Sequence, residues 1–71
     1  MKERSEHLQW CKDRAHEYLL KHDITNAFAS MLSDLDKRDD TKCAPALVML
    51  GTLYVSQRDE AGMARFIDGF R

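Results

Sequence analysis

His7 and Cys11 stand four residues apart, a spacing that puts both side chains on one face of a helix, within reach of a shared metal ion. A four-ligand zinc site would need Cys43 and a further histidine, His16 or His22, to fold back, and spacing does not complete that set. The same pair could serve as a cysteine–histidine nucleophile, yet nothing in the chain supplies an orienting third group or an oxyanion-hole turn. Cys11 therefore reads as a small buried hydrophobe. The paired carboxylates Asp34 and Asp36, and Asp39 and Asp40, fall in a charge-rich stretch without the apolar walls that raise a carboxyl pKa for acid–base work. There is no G-x-G-x-x-G and no G-K-[ST], so no phosphate cradle is encoded. The expectation is a chain that is not an enzyme and holds neither metal nor cofactor.

The elements that would position these side chains follow from period and punctuation. The 71 residues allow one domain, residues 1–71, with 44% hydrophobic and 32% charged residues, three Gly and one Pro, a composition too apolar for disorder. At this size a single core leaves a margin of roughly 3–5 kcal/mol, which oligomerisation commonly supplements. Leu8, Cys11, Ala15, Tyr18 and Leu19 step by three or four and predict a helix over 5–22, with Ser5 as its N-cap. Ile24, Ala27, Phe28, Met31, Leu32 and Leu35 predict a second over 24–37, capped by Asp23 or Thr25. The run from Asp36 to Asp40 reads as a solvated loop. Pro45 suits the first turn of a third helix over 45–56, which is apolar almost all round; such a helix is buried on several sides or meets a partner. Gly51 in its middle marks a close helix crossing. Met63, Phe66, Ile67 and Phe70 predict a fourth helix over 59–69, capped by Asp59 or Ser56. A left-handed Gly69 would end it and fold Phe70 back onto the last turn. The fold class is thus all-α: a small helical bundle of about four short helices in two antiparallel helical hairpins.

Two resemblances bear on this reading. Offsetting the chain by 36 residues aligns Cys11, Ala15 and Tyr18 with Leu47, Gly51 and Tyr54, and Ala27 and Met31 with Met63 and Ile67. The run Leu50-Gly51-Thr52-Leu53-Tyr54 resembles the L-G-x-x-Y core of a tetratricopeptide helix. The first unit lacks the Leu-Gly pair, no proline closes the first hairpin, and two units are fewer than such arrays need. The chain thus reads as two packed helical hairpins rather than a repeat protein. Over most of its length it also resembles a group of short, largely uncharacterised tailed-bacteriophage proteins. The residues that carry this are Trp10-Cys11-Lys12, Ala27-Phe28-Ala29-Ser30-Met31-Leu32-Ser33-Asp34-Leu35 and Arg65-Phe66-Ile67-Asp68-Gly69-Phe70. That resemblance implies a role inside the infected bacterium, binding a host or phage protein and modulating it, and it carries no activity or catalytic residue.

Composition leaves the partner open. Eleven Lys and Arg against twelve Asp and Glu argue against a dedicated nucleic-acid binder. A local patch is the alternative: Lys2, Arg4, Lys12, Arg14 and Lys21 gather in the first helix around Trp10, but Glu3, Glu6, Asp13 and Glu17 interleave with them. The N-terminus is charged and the longest apolar run, from Ala44 to Leu50, is far too short to span a bilayer, so a cytoplasmic chain with two reduced thiols is expected. Aromatics and Arg dominate interface energy, which makes Trp10, Arg14, Tyr54, Arg65 and Phe70 the candidate partner-binding residues. A homodimer is the companion expectation, because the third helix is more apolar than a monomer of this size needs.

Overall fold

The structure, a computed structural model, describes residues 3–70. Four helices follow one another: α1 (Arg4–Leu20), α2 (Ile24–Leu35), α3 (Pro45–Gln57) and α4 (Glu60–Asp68), with a single 3₁₀ turn (Asp39–Thr41) between α2 and α3. Among the described residues there is no strand, and the all-α class is as the sequence indicates. The Cα envelope measures 35 × 25 × 16 Å. Its thinnest dimension holds two helix layers, so every helix keeps one side against solvent.

The apolar stripes meet as their period requires. Leu8, Cys11 and Ala15 of α1 pack with Ile24, Met31 and Leu35 of α2 and with Met63, Phe66 and Ile67 of α4. Phe28, Tyr54, Val55 and Phe70 close the edges of this core. α1 lies along α2 and also against α4, while α3 touches mainly α2 and α4. In a tetratricopeptide stack the first helices of successive pairs would adjoin; here α1 runs beside α4 instead, so the hairpins are arranged differently.

The two hairpins nonetheless share one joint. At the end of α1, His22 N–H donates to Leu19 O and Asp23 N–H to Tyr18 O; at the end of α3, Arg58 N–H donates to Val55 O and Asp59 N–H to Tyr54 O. Both are Schellman turns, and each has a non-glycine residue in the left-handed region, His22 at φ 59° and Arg58 at φ 53°. The next residue then caps the following helix: the Asp23 carboxylate accepts from Asn26 N–H at 3.2 Å and the Asp59 carboxylate from Gly62 N–H at 2.8 Å. His22 and Arg58, like Asp23 and Asp59, stand 36 residues apart. The weak sequence offset therefore corresponds to a matching joint at the ends of α1 and α3.

Gly51 and Ala15 are the matching small residues at the crossings. A methyl built on Gly51 would overlap the edge of the Phe28 ring, so α3 approaches α2 as closely as a bare Cα allows. Gly62 has the same reason, since a Cβ there would lie 2.6 Å from the Tyr54 ring.

Three local expectations are corrected. Ser5 lies inside α1; Glu3 occupies the N-cap position and gives no side-chain cap. Gly69 is right-handed (φ −74°, ψ −14°), yet Phe70 still packs edge-on against Phe66, their ring centres 5.2 Å apart. The stretch after α2 is anchored as well as solvated, because Thr41 is buried and its hydroxyl donates to Leu35 O at 2.6 Å.

Candidate functional site

Around His7 and Cys11 the structure builds a buried polar cluster. His7 Nε2 is 2.9 Å from the Asp34 carbonyl and 3.6 Å from Cys11 Sγ. A carbonyl oxygen only accepts, so this nitrogen carries a proton and cannot act as the base that would activate the thiol. Burial, with the Asp34 carboxylate as second cause, pushes the Cys11 thiol up to about 11, so it stays protonated at neutral pH. Cys43, half-buried, is raised by burial alone, and both thiols are free. Among the described residues no three His, Cys, Asp or Glu side chains converge as a metal ligand set.

Asp34 departs from the expected mobile, solvated carboxylate: it is 2% exposed. Arg14 Nε binds it at 2.7 Å, Lys37 Nζ at 3.2 Å and the Ser30 hydroxyl at 3.4 Å. A buried charge held by two cations and a hydroxyl is a compensated structural group. The same two cations cover Trp10, Arg14 Cζ and Lys37 Nζ each lying 4.9 Å from its ring centre, and His7 stacks on it at 5.7 Å.

The five candidate contact residues therefore fall in two places. Trp10 and Arg14 belong to the cluster just described. Tyr54, half-buried, lies 6.0 Å from the Phe66 ring over Gly62. Arg65 and Phe70 join Leu47, Phe66 and Gly69 around a shallow apolar cavity of about 170 Å³. Arg65 is exposed and makes no ion pair among the described residues, so this cavity has an apolar floor and an unpaired cation at its edge. Of the basic residues expected to form a patch on α1, Arg4 donates to Asp40 O, Lys12 to Asp68 O, and Arg14 to Asp34. Lys2 lies outside the described residues.

The largest apolar exposure lies elsewhere, on α3. Gly51 and Val55 face the core, with Val48 half-buried beside them, and the opposite side presents Ala46, Met49, Leu50 and Leu53 at the spacing of one helical stripe. Met49 is 73% exposed, Leu53 54%, Leu50 40% and the flanking Leu47 39%. No charged residue occurs in the 15 positions from Cys43 to Gln57. That uncharged run is the signal in the sequence for this face, but only the position of Gly51 against Phe28 reveals which side of the helix is left open.

No helix among the described residues is long and apolar enough to cross a membrane. Compared with models of known protein families, with curated proteins and with solved structures, the chain matches none of them.

Proposed function

We propose that this chain is a small, non-enzymatic protein-interaction module that binds a host or phage protein in the cytoplasm of an infected bacterium and modulates it. The observation that carries the reading is the solvent side of α3, where four large apolar side chains stand exposed without a charge among them. Isolated exposed apolar residues are ordinary, but a contiguous stripe of this kind marks an interaction surface. The cavity beside Arg65 and Phe70 offers a second contact of complementary type, apolar with a cationic edge. The phage setting is supported by the sequence resemblance. A nucleic-acid-binding role has less support, since Trp10 is covered by its own cations and Arg14 is committed to Asp34.

The test is affinity capture from bacterial lysate with the tagged chain, run with and without nuclease and at two salt concentrations, beside the variants Met49→Glu/Leu53→Glu and Arg65→Glu. A discrete protein that survives nuclease and salt and is lost with either variant is the expected result. Recovery of nucleic acid alone, abolished by nuclease or by salt, overturns the proposal.

A further inference from the structure

The matching joints put α1 and α3 in one register and so supply a comparison for the exposed face of α3. At the 36-residue offset fixed by the shared joints, Met49, Leu50 and Leu53 correspond to Asp13, Arg14 and Glu17 of α1. Asp13 and Glu17 lie on the solvent side of α1 as Met49, Leu50 and Leu53 do on α3, while Arg14, half-exposed, reaches from the edge of that side to Asp34. In α1 that side is charged, which is how a helix facing water is ordinarily built. In α3 the same side is apolar, although nothing in the hairpin requires it.

We propose that a second copy of this chain covers the stripe, α3 against α3 about a two-fold axis; the inference rests on the interaction-module reading and names its first partner. Three observations select a second copy. First, a symmetric contact needs a surface that matches itself, and an uncharged stripe does so without like-charge repulsion. Second, a head-to-tail contact would need another apolar face to receive α3. The exposed positions of the other helices are polar or small: Asp13 and Glu17 on α1, Asn26 and Ser33 on α2, Arg65 and Asp68 on α4. Leu20, 82% exposed, stands alone at the end of α1. The apolar cavity beside Arg65 and Phe70, about 170 Å³, has room for one side chain and not for a stripe of four, so among the described residues the surface that matches the α3 stripe in extent is α3 itself. Third, the stripe exposes on the order of 400 Å² of apolar area. Pairing two stripes with their flanks would bury roughly 1,000–1,200 Å² in total, the low end of specific interfaces. The dimer is accordingly reversible, with a dissociation constant on the order of micromolar. An antiparallel pair sets each helix N-terminus beside the partner's C-terminus, where the dipoles attract. The cavity at Arg65 and Phe70 is then displayed twice, once on each subunit.

The experiment is sedimentation equilibrium of the full chain, with reductant, from about 1 to about 300 μM, across the range where a micromolar dimer forms. The wild type is expected to pass from monomer to dimer. Met49→Glu/Leu53→Glu is expected to weaken association at least tenfold while keeping the helical circular dichroism signal. The milder Leu53→Gln, which nearly preserves size, provides the same readout should the double variant unfold, and Leu20→Glu should leave the dimer unchanged. A wild type that is monomeric throughout overturns the inference. So does a dimer seen only without reductant, which a Cys43 disulfide would explain, or one that the α3 variants leave intact. A monomer that still captures a lysate protein through the stripe would sink the dimer and leave the interaction module standing, so the two readings fail separately.

Discussion

Gly51→Ala is a substitution whose sign the structure reverses. In an open mid-helix position it would stabilise by about 1 kcal/mol, because alanine restricts the unfolded chain and favours helix. At Gly51 the added methyl meets the Phe28 ring edge, and that ring is itself held edge-on to Phe66 at 6.1 Å between centres. Moving it forfeits an aromatic contact of about 0.5–1.5 kcal/mol and overpacks the crossing at a cost of about 1–3 kcal/mol. The net expectation is a loss of about 1–2 kcal/mol. Against a total of roughly 3–5 kcal/mol this is large, and at about 4–8 °C per kcal/mol it is easily seen in a thermal melt. The cycle is completed with Phe28→Leu, which removes the far ring atoms while leaving an apolar side chain. In that background Gly51→Ala should stabilise by about 1 kcal/mol, giving a coupling of about 2–3 kcal/mol. Urea unfolding of the four proteins, followed by circular dichroism, measures it. Equal stabilisation by Gly51→Ala in both backgrounds would refute the close crossing, and with it the assignment of which side of α3 faces the core.

Two further outcomes follow from the buried cluster and the shared joint. In the unfolded chain a cysteine loses its proton near pH 8.5, while folded Cys11 holds its proton to about 11. The unfolded state therefore binds fewer protons between those values, and the stability present below about pH 8.5 falls as pH rises, by up to about 1.4 kcal/mol per unit. Urea titrations across that window should show a steeper alkaline loss in the wild type than in Cys11→Ala, and in the native protein at pH 8 an alkylating reagent should modify half-exposed Cys43 well before Cys11. At the α3–α4 joint, Arg58→Gly should raise stability by about 1 kcal/mol by relieving a left-handed non-glycine residue. His22→Gly should gain less, because His22 Nδ1 also meets Glu60 Oε1 at 2.9 Å; equal gains in thermal unfolding would show that this contact contributes nothing.

The parts of this molecule that are legible in its sequence are those set by neighbours a few residues away. Helical period finds the stripes of α1, α2 and α4, and the aspartates at 23 and 59 show themselves as caps because each has a free backbone N–H three residues on. What that reasoning places wrongly is decided at long range. Asp34 looks like one more solvated charge until Arg14, twenty residues earlier, and Lys37 close over it. His7 shares a helix face with Cys11 by spacing alone, but that its ring meets the Asp34 carbonyl is decided 27 residues away. α3 is the instructive case. Its composition says that it is buried on several sides or meets a partner, and period cannot choose, because apolar residues occupy every side. The choice depends on Gly51 seating one side against Phe28, which leaves Met49, Leu50 and Leu53 in water where the equivalent Asp13, Arg14 and Glu17 belong. The contrast between those two triplets is present in the sequence, but it has meaning only once the joints at His22-Asp23 and Arg58-Asp59 put the two hairpins in register. Function is hardest to read in this chain for the same reason: no residue type or spacing signals it, and what bears on it is a difference between two helix faces that the matching joints put in one register.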